Sequence, residues 1–335
     1  MNDIIIGIDL GTTNSEVAIV EQGKVTVIAD GDQKMLASFV GIDDAGQVIV
    51  GATARNQYLV YPERTIKSIK RLMGQETQVV LADQAYTPQE VSAIILTRLK
   101  IIAEQHLGKA VSKAVITVPA YFSDAQRQAT REAGEIAGLD VVRMINEPTA
   151  AALAYGSIQA EAKQVLVYDL GGGTFDVSVV NMQDGVVEVL SSHGDNQLGG
   201  DDFDQQIIDY LIEQIQTTQG VDVRSHSKAM ARLARAAEEA KFLLSEQPYT
   251  QIDEEYLLEH EGVAVHVSLE LSRMAYEEMI EDYINATIDA THIALKGAKL
   301  TAVEIDEIIL VGGSTRTPCV RERLLNEFGF EPHSE

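Results

Sequence analysis

The feature that most restricts the fold of this chain is an internal copy. Residues 6–20, IGIDLGTTNSEVAIV, align without gaps at an offset of 160 with residues 166–180, LVYDLGGGTFDVSVV. Asp9 and Asp169, Leu10 and Leu170, Gly11 and Gly171, Val17 and Val177, and Val20 and Val180 are identical pairs. Each copy reads as an apolar strand, an Asp, a tight Gly/Thr-rich turn and a second alternating strand, the pattern of a β-hairpin. Each is followed later by a buried strand, a turn and a helix, over 114–139 in the first half and 307–329 in the second. Strands alternating with helices define an α/β class. The order hairpin, insertion, strand-turn-helix occurs twice, so two lobes are expected, each with an α/β core and an inserted subdomain. The 335 residues suffice for two units of roughly 150 each.

The insertions read as largely helical. Thr87, Pro88 and Glu90 form a capped start with Pro at the first helical position, and Val91, Ile94, Ile95, Leu99 and Ile102 continue it as an apolar stripe. Ser123 and Gln126 make a second capping box, with a stop near Gly138. Phe203, Ile207, Tyr210, Leu211 and Ile215 mark another amphipathic helix. An Ala-rich helix over 227–245 places Glu238, Lys241 and Ser245 on one face, where spacing alone favours a solvated, salt-bridged surface. The small residues of NEPTAAALAYG, 146–156, suit close packing at a lobe junction.

Charge and cysteine content exclude whole classes of partner. With 26 Lys+Arg against 51 Asp+Glu, the net charge of -25 repels phosphate backbones, and no basic cluster offsets it, so nucleic acid is not expected. Cys319 is the single cysteine, which rules out an intrachain disulfide and a Cys-based zinc site and makes a small packing role its expected one. No 18-residue apolar run and no basic-then-apolar leader is present, so a cytoplasmic protein without a membrane partner is expected.

Two Gly/Thr turns, each preceded by an Asp, suit a triphosphate held between lobes, because backbone N–H groups without Cβ obstruction can wrap phosphate oxygens. Asp9 and Asp169 then face a Mg²⁺ that keeps most of its waters. GxxxxGK[ST], GxGxxG after a strand, HExxH and GxSxG are all absent, which removes the P-loop, dinucleotide, zincin and nucleophile-elbow alternatives. Phosphoryl transfer to water needs positive charge beside the γ-phosphate. Lys67, Lys70 and Arg71 are candidates, and the residues alone leave the choice open.

Seven ordered blocks then carry a resemblance: IDLGTTNS (8–15), SIKRLMG (68–74), VITVPAYFSDAQRQAT (115–130), INEPTAAALAYG (145–156), YDLGGGTFDVSVV (168–180), GDNQLGGDDFD (194–204) and LVGGSTRTP (310–318). Together they resemble the nucleotide-binding domain of the heat shock 70 kDa protein family, the DnaK-type chaperones. The resemblance implies an actin-like (ribonuclease H-like) fold with nucleotide between lobes at about 1–161 and 162–335. Subdomain IA would take about 1–36 and 109–161, IB 37–108, IIA 162–198 and 286–335, and IIB 199–285. It implies slow hydrolysis of ATP to ADP, with Lys70 orienting the attacking water beside Asp9, Glu147 and Asp169. Thr174 would contact the γ-phosphate and Asp176 would support potassium or the waters of Mg²⁺. Gly11, Thr12, Thr13 and Asn14, with Gly172 and Gly173, would hold phosphates. Gly199, Gly200, Glu238, Lys241, Ser245, Gly312, Gly313, Ser314 and Arg316 would surround the nucleoside, with Phe242 stacking where many relatives carry a cation. Pro119 and Arg127 match the family's relay to its partner domain. A J-domain cochaperone and a nucleotide exchange factor would be partners of a monomer.

The resemblance also carries departures. Only residues 75–85 separate SIKRLMG from YTPQEV, a short IB insertion similar to that of specialised members such as the iron-sulfur-assembly chaperone, which weakens the expectation of the usual exchange factor. The sequence ends at EPHSE, before the family's closing helix, linker and peptide-binding domain, so an isolated ATPase domain unable to hold a client is expected. An actin-like filament protein and a nucleotide-binding regulator without turnover are the alternatives.

Overall fold

The computed structural model describes residues 4–156 and 162–334. Its two main sheets have the same construction. The first runs Asp140–Asn146, Lys113–Val118, Ile5–Asp9, Asn14–Glu21, Lys24–Val27, with Leu36–Ala37 paired beside Asn14–Glu21. The second runs His333–Ser334, Glu307–Val311, Lys163–Leu170, Phe175–Gln183, Val186–Asp195. In both, the first two pairings are parallel and the last two antiparallel. The hairpins share their register as well. Gly7/Ala18, Ile8/Val17 and Asp9/Glu16 face each other in one, and Val167/Ser178, Tyr168/Val177 and Asp169/Asp176 in the other. The 160-residue offset is therefore a repeat in space. Helix Asp124–Ile136 links the two parallel strands of the first sheet, and Pro318–Phe328 those of the second.

Both expected capping boxes form. Thr87 N–H donates to Glu90 at 2.7 Å and starts helix Pro88–Leu107, and Ser123 N–H donates to Gln126 at 2.9 Å. Val91, Ile95, Leu99 and Ile102 of the first helix and Ala129 and Ala133 of the second bury against Ile6, Ile8, Val17 and Ile19. Under the second sheet, Phe203, Ile207, Leu211 and Ile215 of helix Gly200–Gln219 join Leu166, Tyr168, Phe175 and Val177. Helix Ser227–Glu246 and the 26-residue helix Arg273–Ala298 complete that core. The buried Tyr168 hydroxyl donates to Thr287 Oγ1 at 2.6 Å, which meets the cost of placing a phenol there.

The two sheets differ on their opposite faces. Helix Glu147–Gly156 covers the second sheet's other face, with Ala152 against Val165, Val167, Val180 and Ile309, so FDVSVV is buried at every position. The equivalent face of the first sheet, with Ile5, Gly7, Asp9 and Val20, is exposed, and NSEVAIVE alternates. The small residues of 147–156 permit this close approach.

The first half inserts a three-stranded sheet (Val40–Ile42, Val48–Val50, Thr65–Ile66), helix Ala52–Tyr58 and a short hairpin, Val79–Leu81 with Gln84–Tyr86. The second inserts the ribbon Tyr249–His260 with Val263–Ser272 beside its helices. Among the described residues no helix is long and apolar enough to cross a membrane.

Candidate active site

The tips of the two hairpins meet. A Cβ on Gly172 would overlap Thr13 Oγ1, and one on Gly173 would lie 2.5 Å from Thr12 Cγ2, so glycine is what allows the turns to approach. A third layer closes over them: Gly200 N–H donates to Gly171 O at 2.9 Å, Asp201 N–H to Gly172 O at 2.6 Å, and Ser314 Oγ to Gly171 O at 2.9 Å. Gly199 lies against the Gly172–Gly173 peptide, where a Cβ would sit 2.6 Å from its C and N atoms. On the first side Ser38 fixes the turn, its Oγ donating to Gly11 O at 2.9 Å and its N–H to Thr13 O at 2.8 Å. Thr12 and Thr174 are buried within the tips, and Asn14 opens the second strand of its hairpin.

Beside the tips lies a charge cluster drawn from both halves. Lys70, 6% exposed on the short helix Ile69–Leu72, donates from Nζ to Glu147 Oε1 at 2.9 Å and sits 5.7 Å from the Phe122 ring. Burial pulls the ammonium toward neutrality, but Glu147, Asp9 and Asp169 outweigh it and hold its pKa above the ordinary lysine value. Glu147 is raised by burial, with Lys70 opposing. Asp169 is raised well above the usual carboxylate range, by burial first and then by Glu147, Asp176 and Asp9. Burial and then Glu147 push Asp176 up to about 7, although Tyr121 N–H donates to its Oδ1 at 2.9 Å. Thr117 Oγ1 donates to Asp9 Oδ1 at 2.6 Å. The cluster carries more carboxylates than its ammonium can balance. Among the described residues no three His, Cys, Asp or Glu side chains converge closely enough to hold one ion directly.

The three candidate cations separate. Only Lys70 enters the cluster; Lys67 lies 5.6 Å over the Tyr58 ring, and Arg71 turns to Asp202 at 2.7 Å. Pro119 and Arg127 touch, Arg127 Nη2 donating to Pro119 O at 3.2 Å and to Asn146 Oδ1 at 2.9 Å.

The solvated face expected on helix Ser227–Glu246 needs correction. Lys241 is buried, its Nζ 2.9 Å from Asp204 Oδ2 and 3.2 Å from Gly200 O, because helices Gly200–Gln219 and Ser227–Glu246 pack together. Glu238 pairs with Arg55 of the first half at 2.5 Å, and Ser245 Oγ donates back to Lys241 O at 3.1 Å. Phe242 is 55% exposed, with the Lys241 ammonium 5.4 Å from its ring. Gly312 has φ +85° and starts the short turn Gly313–Arg316, in which Gly313 and Arg316 are exposed. Cys319 is half-buried, and burial first, then Glu277 and Glu322, push its thiol up to about 12, in keeping with packing rather than reactivity.

Sequence reading missed Thr117, Tyr121, Arg55 and Asp202, which lie far in sequence from the groups they touch. Glu16 was within reach of it: the offset that matches Asp9 to Asp169 also matches Glu16 to Asp176. Burial, then Asp9, raise Glu16 above the usual carboxylate range, against Lys34.

Two sheets of one topology, joined by a shared carboxylate cluster beneath facing Gly/Thr tips, define an actin-like nucleotide-binding fold. Residues 5–335 match the family model described as Hsp70 protein, and the chain belongs to the Hsp70 family. Its fold is that of the family's ATPase domain, which binds ATP or ADP with Mg²⁺ and hydrolyses ATP in proteins that work with co-chaperones and clients.

Proposed function

We propose that the chain is the Mg²⁺-dependent ATP-hydrolysing domain of a DnaK-type chaperone, with lobe I at about 1–161 and lobe II at about 162–335 closing on the nucleotide. One observation carries this reading: the buried ammonium of Lys70, set among Asp9, Glu147 and Asp169 beneath the tips of two register-matched hairpins. Carboxylates raised by burial and mutual repulsion, and too dispersed for direct three-fold ligation, suit a cation held through water and ligand phosphate. Bound there, Mg²⁺ supplies neutralisation of the phosphate oxygens.

The remaining work falls to the chain. Backbone N–H groups of Gly11–Asn14 and of Gly172–Gly173 bind phosphate from opposite sides. Glu147 fixes the Lys70 ammonium, which holds the attacking water and opposes the charge that develops at the γ-phosphate. Thr174 adds a hydroxyl at the γ-phosphate, and Asp176 orders potassium or metal waters. Glu238, Lys241, Phe242, Ser245, Ser314 and Arg316 form the nucleoside wall, with the exposed Phe242 ring stacking on adenine. Pro119 and Arg127 pass nucleotide state outward to a peptide-binding domain. The proposed location is cytoplasmic, and the short hairpin Val79–Leu81/Gln84–Tyr86 in the IB insertion is in keeping with a specialised member.

Single-turnover hydrolysis of Mg-ATP tests the reading. Wild-type protein hydrolyses slowly, and Lys70→Ala loses at least ~100-fold, the scale of removing one transition-state donor. Equal rates for the two proteins would overturn the assignment.

A further inference from the structure

We propose that Arg71 is a positioning residue for Lys70, and that its clasp across the cleft couples lobe closure to hydrolysis. This rests on the reading of Lys70 given above. Lys70 and Arg71 are neighbours on the four-residue 3-10 helix Ile69–Leu72, a segment too short to be held by its own hydrogen bonds. One side of it is anchored in the first core by Ile69 and Met73. The other side is held by the opposite half of the molecule.

That hold has several members. Arg71 lays its stem on Gly173, where a Cβ would be 3.0 Å from both Cγ and Cδ. Its Nη2 donates to Asp202 Oδ2 at 2.7 Å and Oδ1 at 3.0 Å and to Gln197 O at 2.6 Å. Gln197 Nε2 returns a bond to Arg71 O at 3.1 Å. Ser68, whose φ of +54° starts the short helix, donates from Oγ to Asp201 Oδ2 at 2.6 Å. Asp202 also accepts from Gly199 N–H at 2.8 Å, and the next two amides, of Gly200 and Asp201, donate to Gly171 O and Gly172 O. Arg71 is thus tied through one helix start to the glycine tip proposed to hold phosphate.

The Arg71 and Asp202 side chains are only 18% and 21% exposed, so this is a largely desolvated, charge-assisted contact rather than a surface pair. Every partner of the clasp lies in the second half, while Lys70 projects from the same short helix toward Glu147 and Asp9. Separating the lobes breaks the clasp and leaves Lys70 on a segment held from one side. Closing them fixes its backbone and aims the ammonium.

The test uses the whole chain and two readouts, the single-turnover rate of Mg-ATP hydrolysis and the dissociation rate of a fluorescent ADP, with thermal melting as the control for folding. Arg71→Ala and Asp202→Asn are each expected to slow hydrolysis about 10-fold and to speed ADP release, since displacements of the order of 1 Å cost up to ~100-fold in rate. Arg71→Ala/Asp202→Asn is expected to be no slower than either single variant, because both remove one interaction. Arg71→Lys, which keeps the charge but not the planar guanidinium whose Nη2 reaches Asp202 and Gln197 O together, should fall between wild type and Arg71→Ala. In a Lys70→Ala background, Arg71→Ala should still speed release but cost no further hydrolysis. If Lys70→Ala is impaired while Arg71→Ala and Asp202→Asn hydrolyse within twofold of wild type, the clasp proposal alone falls. Single effects that multiply in the double variant, or Arg71→Lys as slow as Arg71→Ala, would also overturn it. If Lys70→Ala hydrolyses normally, the parent reading falls and the positioning role with it.

Discussion

Replacing Asp176 by Asn should stabilise the nucleotide-free protein, and do so more at high pH than at low. Asp176 is 2% exposed, faces Asp169 across the hairpin, and titrates at about 7 against an ordinary value of 3.8. Between those values the folded protein holds a proton that the unfolded chain has lost, so stability falls as pH rises through the window and levels off above about 7. Once both states are ionised, the buried charge costs ~4 kcal/mol by linkage. Asparagine keeps the shape and an oxygen that can accept from Tyr121 N–H, while removing the charge. In urea unfolding with chelator and no nucleotide, Asp176→Asn should exceed wild type at both pH 5 and pH 8, and the gap should widen by about 2–3 kcal/mol between them. Part of that widening reflects relief of Asp169, which Asp176 also pushes upward. Mg²⁺ bound beside the carboxylates, by placing positive charge there, should narrow the gap at pH 8. A gap that stays constant from pH 5 to pH 8 would refute the electrostatic reasoning.

Two further outcomes test the cleft and one tests the frame. Gly172→Ala drives a methyl into Thr13 Oγ1 and should part the hairpin tips, lowering Mg-ATP affinity at least ~10-fold in calorimetry by spoiling a preformed site. Phe242→Ala removes an exposed ring, so unfolding should shift by no more than ~0.5 kcal/mol, while adenosine-nucleotide affinity drops by the ~0.5–1.5 kcal/mol of a lost aromatic stack. Thr87→Ala breaks a capping box whose hydrogen bonds involve none of the cluster's side chains and should cost ~1 kcal/mol in denaturant unfolding with hydrolysis unchanged.

What could be read directly was what depends on short stretches of chain. The hairpins were legible because alternation and tight turns encode local pairing, and the 160-residue repeat carried the same register into both halves. The caps at Thr87 and Ser123 were legible because a helix start needs its donors satisfied within three residues. The Gly/Thr turns were legible for the same reason: a tight glycine turn is a local structure.

The long-range facts were decided by packing. Spacing favoured a solvated face for Glu238, Lys241 and Ser245, yet Lys241 is buried against Asp204 because two helices pack there. Lys67, Lys70 and Arg71 are equivalent cations in sequence, and they go to an aromatic ring, a carboxylate cluster and the Asp202 carboxylate. Asp9, Glu147, Asp169 and Asp176 are ordinary acids along the chain; burial and one another's charge raise the last three. Sequence by itself determined the two repeated cores and the glycine turns, since those follow from hydrogen bonds and periodicities a few residues long. Only the tertiary structure decided which cation meets which acid and how strongly each is perturbed, because Coulomb and desolvation energies depend on distances that folding sets between residues dozens to more than a hundred positions apart.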